Sequence, residues 1–233
     1  MKRIPSAYWW QKRHLKQSLG GFWRNLFWQE VRPMPIFIDP LNAYVSPDVE
    51  IGAGTVIEPN VWIMGSAKIG KNCRIGFGSV IIDSTLEDNV KVAGARIEKS
   101  YVEHDAEIGY TAQLKRTRFG AYSKMLHRGY LGDAEVGHHV NIGADVTTAN
   151  YDGVNKNKTV IVNYAFIGTG VNLVAPIIIP EGAMIASGST VTGKDALEPW
   201  QLFVARATGR LSRSKRVRWD EKGWHLENQG GSE

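Results

Sequence analysis

Seven aliphatic residues, Val45, Ile51, Ile57, Ile63, Ile69, Ile75 and Ile81, follow one another at steps of six. The residue two places before each is Ala43, Val49, Thr55, Val61, Ala67, Cys73 or Ser79, small or β-branched every time. Glycine follows the aliphatic residue at Gly52, Gly70 and Gly76. The period returns as Val136 and Ile142, and then as Ile167, Leu173, Ile179, Ile185 and Val191, with Ala165, Val171, Ile177, Ala183 and Ser189 in the small position. A helix repeats about every 3.6 residues and a strand every second one, so neither alone explains a step of six. A short strand and a turn repeated along a coil does. The aliphatic side chain points inward, its small neighbour fits the narrow corner, and Gly or Asn accepts the turn's dihedrals. Three such steps close a triangular coil, and stacked coils form parallel ladders around one core. A β-sandwich needs longer strands with turns about every 8–12 residues. The expected fold is therefore all-β, a parallel β-helix.

Composition narrows the class. Hydrophobic residues make up 43% and charged ones 22% of the 233-residue chain, which is ordinary for a globular protein. The single cysteine, Cys73, excludes a disulfide framework and a cysteine-rich zinc site. No apolar run has the length of a signal peptide core or a spanning helix, so the expected location is cytoplasmic. The net charge of +5 is unevenly spread: residues 1–32 carry seven Lys/Arg against one acid, 33–205 carry fourteen against eighteen, and 206–233 carry seven against four. Basic ends on a mildly acidic middle do not make a nucleic-acid-binding domain, and no nucleic-acid partner is expected. Three regions follow: a basic, aromatic and helical N-terminal arm over 1–34, the coil over 35–195, and a basic tail over 196–233. In the arm, four Trp, two Phe and one Tyr lie among seven basic residues, a pattern suited to an anionic membrane surface or to packing on the coil.

Two stretches depart from the period, 83–132 and 147–162, and are expected to leave the coil as loops that build a site on its side. They contain KRTRFGAYSKMLHRGYLGDAEVG (115–137) and VNIGADVTTANYDGVNKNKT (140–159). These segments, with the hexapeptide period, resemble the acetyltransferase domain of the bifunctional N-acetylglucosamine-1-phosphate uridyltransferase/glucosamine-1-phosphate acetyltransferases. The resemblance implies a left-handed coil, a homotrimer with pockets shared between neighbouring subunits, and acetyl-coenzyme A as co-substrate. It leaves a magnesium requirement open.

By that resemblance His127 falls at the catalytic base. Lys115, Tyr130, Asn141 and Lys156 fall at contacts to the sugar phosphate, and Asn150 and Tyr151 beside the reacting amine and acetyl group. Ala144, Thr169, Ser187 and Arg206 fall along the coenzyme A groove. The residue types suit the chemistry: an imidazole accepts the amine proton, a backbone amide holds the oxyanion, and lysines hold phosphate. The implied activity is N-acetylation of an amino-sugar phosphate, most simply glucosamine 1-phosphate, in the supply of cell-wall precursors. Another amino-sugar acceptor, or a non-catalytic scaffold for a membrane or partner, are the alternatives. The residues ahead of the coil hold no glycine-rich nucleotidyltransferase motif, so uridyl transfer is not expected.

The chain departs from the pattern in places. An ungapped alignment sets Ile97 where the family uses a phosphate-binding arginine, with Arg96 one residue away, and Gln113 replaces a carboxylate. Adjacent His138 and His139 would face opposite sides of a strand, so no metal site is expected from them.

Overall fold

A computed structural model describes residues 34–205 and 211–227; the N-terminal arm up to residue 33 and Arg206 lie outside the described residues. Strands of two to five residues wind into three parallel sheets. Sheet A begins at Ile36–Phe37 and Val56–Ile57, sheet B at Tyr44–Val45 and Trp62–Met64, and sheet C at Glu50–Ile51 and Lys68–Ile69. Each coil passes once through A, B and C. The aliphatic row points inward, and Ile57, Ile63, Ile75 and Ile81 are wholly buried, stacked in register as Ile57 on Ile75 and Ile63 on Ile81.

The small position is the corner. Its hydroxyls and thiol bond the backbone that turns there: Thr55 donates to the Gly70 carbonyl at 2.7 Å, Ser79 to Gly76 at 2.7 Å, and the Cys73 thiol to Glu87 at 3.1 Å. Burial pushes the Cys73 thiol pKa up, which keeps it protonated and unreactive. The preceding residue takes a left-handed conformation, as at Asn60 (φ 56°), Asn72 (φ 53°) and Asn89 (φ 62°). Lys99 (φ 49°), Arg116 (φ 52°), Tyr122 (φ 58°), His139 (φ 55°) and Tyr164 (φ 58°) do the same with side chains less suited to it.

Contrary to expectation, the segment 83–132 never leaves the coil. Leu86, Val92, Ile97, Val102, Ile108, Leu114, Phe119, Met125, Leu131 and Val136 continue the buried row. Several corners have lost one residue, so a coil takes seventeen residues from Ile75 to Val92 and sixteen from Val92 to Ile108, where eighteen separate Ile57 from Ile75. The step of five shifts the frame without breaking the ladder. Only the second expected loop is an excursion. Sheet B keeps Thr147–Ala149, residues 150–158 leave the coil, and Thr159–Ile161 rejoins it in sheet C.

The C-terminal segment is built into sheet A. Gln201–Ala205 pairs in parallel with Met184–Ile185, and Leu211–Asp220 and Gly223–Glu227 follow as an antiparallel hairpin. The hairpin rests on the corner between sheets C and A. There His139 stacks on Tyr122 and Tyr164 at 4.9 and 5.3 Å, Trp219 packs 4.9 Å from His139, and the Trp224 indole donates to the Tyr164 carbonyl at 2.8 Å.

Candidate active site

The other two corners carry most of the candidate site residues. At the corner between sheets A and B a cleft of about 250 Å³ is lined by His127, Asn141, Ala144, Thr169 and Ser187. Five of the expected residues, the expected base, one expected sugar-phosphate contact and three of the four positions expected along the coenzyme groove, therefore converge although they span sixty positions of sequence. Successive corners place them one above another: His127 follows the strand Lys124–Met125, Ala144 follows Asn141–Ile142, Thr169 follows Phe166–Ile167, and Ser187 follows Met184–Ile185. The cleft exists because the corners between are bare. A Cβ on Gly143 would come within 2.7 Å of the Thr169 amide nitrogen, and one on Gly168 within 2.6 Å of that of Ser187. The Ser187 hydroxyl accepts from the Thr169 N–H at 3.2 Å, and the Ala144 carbonyl accepts from Gly170 at 2.7 Å. His127 itself is exposed at the lower end of the cleft, beside Arg128, whose guanidinium donates to Asp145 at 2.6 Å.

Lys115 and Tyr130 lie on sheet B, in the strands Ala112–Lys115 and Gly129–Gly132. They are neighbours: Gly132 is the register partner of Lys115, and the Tyr130 ring lies so close over Gly132 that no Cβ would fit there. Lys115 is not a free cation, however. Its ammonium lies 3.1 Å from Glu98, its register partner in the previous coil, and Glu98 also meets Arg96 at 3.4 Å. The Lys115 hydrogen bond, above all, holds the Glu98 carboxyl below its usual pKa. Ile97 is wholly buried in the inward row, and Glu98, on the outer face, is the residue set beside Lys115.

Asn150, Tyr151 and Lys156 belong to the excursion at the corner between sheets B and C. Asn150 is buried and donates to the Asp133 carboxylate, which also takes Arg116 at 2.5 and 2.7 Å. Arg116 first, with Asn150 and Lys156 adding to it, lowers the Asp133 pKa against the effect of burial. Asp152 folds the loop back on itself by accepting from Val154 at 2.8 Å, Asn155 at 2.6 Å and the Asn157 amide at 2.8 Å. Tyr151 pairs with Lys156 in an isolated antiparallel bridge, its ring exposed and its hydroxyl donating to Gly153 at 2.6 Å. Under the loop lies a cavity of about 610 Å³ that includes Lys99, Arg116, Asp133 and Lys156. Sequence reasoning assigned no role to Glu98, Lys99, Arg116 or Asp133; the YLGD segment contained Asp133, but only the ladder register shows what it faces.

The two cavities share no lining residue and lie at opposite edges of sheet B. One chain thus gathers His127 with Ala144, Thr169 and Ser187, and gathers Asn150 with Lys156, but does not bring the two groups together. Among the described residues no set of three or more His, Cys, Asp and Glu side chains is placed to hold a metal, and no helix is long and apolar enough to cross a membrane.

Comparison with known proteins gives the class first. Residues 48–83 match the model for the bacterial transferase hexapeptide (six repeats), and the UDP-N-acetylglucosamine acyltransferase from Campylobacter jejuni is similar in structure, with a TM-score of 0.64 over 75% of this chain and 73% of that one at 18% identity. The coil is a left-handed parallel β-helix of hexapeptide repeats. In sequence the chain resembles bifunctional protein GlmU: it is 41% identical over 211 residues to that of Shouchella clausii, covering 83% of this chain and 46% of the relative. It is 43% identical over 188 residues to that of Symbiobacterium thermophilum, covering 73% and 40%. The chain spans less than half the length of these curated relatives.

Proposed function

We propose that the protein is an acetyl-coenzyme A-dependent N-acetyltransferase that acts on an amino-sugar phosphate, most simply glucosamine 1-phosphate, as a cytoplasmic homotrimer. The observation that carries this reading is the cleft at the A–B corner, where His127 stands beneath Ala144, Thr169 and Ser187. The resemblance of the chain to bifunctional protein GlmU, 41% identical over 211 residues, supports the same reading.

In this reading the pantetheine arm of the coenzyme lies along the stacked corners, with its thioester carbonyl against the Ala144 amide. The neutral amine nitrogen bonds to the acetyl carbon, and the imidazole of His127 takes the proton that this nitrogen gives up. Negative charge moves to the carbonyl oxygen, where a fixed backbone donor stabilises it more in the transition state than in the ground state. The C–S bond then breaks, and coenzyme A leaves as the thiol with the proton that His127 held. No covalent enzyme intermediate is needed. The acceptor groups Asn150, Tyr151 and Lys156 come from a neighbouring subunit, because one chain holds them at the far corner of sheet B.

The test is thiol release from acetyl-coenzyme A with glucosamine 1-phosphate, with the product followed by mass and His127→Ala run in parallel. Turnover that the variant loses, with coenzyme binding retained, supports the assignment. Turnover only with an unphosphorylated amino sugar would replace the acceptor, and failure to bind acetyl-coenzyme A would leave a non-catalytic scaffold.

A further inference from the structure

A solenoid needs ends that can face water, because a terminal coil has no neighbour beyond it. The first coil is not built that way. Ile36–Phe37, Tyr44–Val45 and Glu50–Ile51 are the end strands of sheets A, B and C. Ile36 and Ile38 donate to Thr55 and Ile57 in the second coil at 2.7 and 2.9 Å, and Tyr44 and Ser46 donate to Val61 and Ile63, each at 2.9 Å. Backbone groups alternate in direction along a parallel strand, so the N–H and C=O of Phe37 and Val45, lying between these donors, turn to the open end. The inward side chains follow suit. Phe37, Val45 and Ile51 are only half-buried, whereas Ile57 and Ile63 one coil on are wholly buried.

The outer surface changes character at the same end. Along sheet A the outward register ladder reads Ile36, Val56, Arg74, Lys91, Glu107 and Lys124, so charge begins only at the third coil. On sheet B Tyr44 stacks on Trp62 at 4.5 Å, and Val80 follows before Arg96. Met34, Ile36, Ile38 and Leu41 are 46, 48, 61 and 52% exposed. Single apolar side chains on a surface are ordinary, but a cluster continuous with an open core marks an interaction site. Charge points to the occupant. Residues 34–67 hold four carboxylates and no Lys, Arg or His. Glu50 and Glu58 meet Lys68 and Arg74 at 3.2 and 2.6 Å, while Asp39 and Asp48 meet no cation among the described residues. Residues 1–33 are the complement, with seven Lys/Arg against one acid and seven aromatic side chains, and they join the coil at this face through Met34. Even at the rise of a helix, 33 residues reach about 50 Å, more than twice one side of the coil, which is about 20 Å. The covalent tether keeps them at high effective concentration over that end.

We infer that residues 1–33 cap the open end of their own coil, setting aromatic side chains against Met34, Ile36, Ile38 and Leu41 and basic ones toward Asp39 and Asp48. An anionic membrane, the other surface to which the composition of the arm is suited, gains nothing from this face, because its lipids would meet the same carboxylates. The cap does not depend on the function proposed above.

The experiment is photo-cross-linking of the full chain with p-benzoylphenylalanine in place of Ile38, the products being mapped as peptides by mass spectrometry. Peptides from residues 1–33 are expected among them. The same photoreactive residue in place of Lys91, three coils along the same outer face, is expected to capture none. Leu41 is a second position on the face should the Ile38 variant fail to fold. Co-expression with an excess of chains that carry Ser18→Ala and no photoreactive residue gives a neighbour's arm a different mass, and the captured arm should be the unmarked one. Raised salt should cut the yield about twofold or more, since it screens the attraction between the arm and the carboxylates. Capture of the marked arm would overturn the inference and give the face to a second copy. Absence of arm peptides at both Ile38 and Leu41 would overturn it as well, and sedimentation of the full chain with phosphatidylglycerol vesicles would then assign the arm to a membrane.

Discussion

Glu98 and Lys115 are register partners in adjacent strands of sheet B, with carboxylate and ammonium 3.1 Å apart on its outer face. Exposed pairs of this kind contribute about 0–1 kcal/mol, so Glu98→Gln should move the melting temperature by no more than about 4 °C. Its effect on binding should be larger, because it frees a cation beside Tyr130. The KM for glucosamine 1-phosphate is expected to fall about threefold or more at unchanged kcat, and the gain should fade at high salt. An unchanged KM would mean that the acceptor does not come near Lys115.

The register itself can be tested with arginine. Ile97 is wholly buried in the inward row, and a guanidinium there would lose its water without gaining a partner. Ile97→Arg should cost more than about 4 kcal/mol and give unfolded or insoluble protein. Glu98→Arg, one residue on, should fold, since that side chain faces solvent. Urea melts of both variants decide the point; a stable Ile97→Arg protein would refute the seventeen-residue coil.

The fold was legible because a buried aliphatic residue and a small corner residue recur at fixed spacing, and that pattern is local. A strict step of six fails where a corner drops a residue, which made 83–132 look like a loop although Leu86, Val92, Ile97 and Val102 keep the row. The residues that line the A–B cleft, His127, Asn141, Ala144, Thr169 and Ser187, were legible as motif positions. Their partners were not, because a contact such as Glu98 with Lys115 or Arg116 with Asp133 depends on how many residues each coil contains. The hairpin Leu211–Asp220 and Gly223–Glu227 was hidden by its charge, which reads as a solvated tail while Trp219 and Trp224 supply the docking face.

Asp133 ties the loop to the coil through Arg116 and Asn150. Removing its charge leaves Arg116 without its bidentate partner, and Asp133→Asn should cost about 1.5–3 kcal/mol at neutral pH. Because the folded-state pKa is lowered, this stabilisation is complete above the ordinary carboxylate value of 3.8 and is lost as pH falls through the lower folded value. Urea unfolding should therefore separate wild type from Asp133→Asn at pH 7, with the gap closing as pH falls below 3.8 and through the lower folded value. A gap that persists in acid would assign the effect to packing of the side chain instead of its charge.

His139 makes the hairpin sensitive in a different window. Its ring lies between Tyr122 and Tyr164 with Trp219 against it, and burial first, then the neighbouring His138, lowers its pKa from the usual 6.5. The neutral imidazole is the form that fits the stack. The stability it lends is thus fully present above 6.5 and is lost as pH falls through the lower folded value. Hydrogen exchange followed by mass spectrometry should show residues 211–227 losing protection on acidification, while the buried coil strands keep theirs. His139→Phe keeps an aromatic ring in the column without a titrating group, and should remove the pH dependence. His225 lies within the hairpin, 2.9 Å from Asp220, so His225→Gln is the control. Loss of the transition in His225→Gln, with its persistence in His139→Phe, would move the switch from the aromatic column to the hairpin's own ion pair.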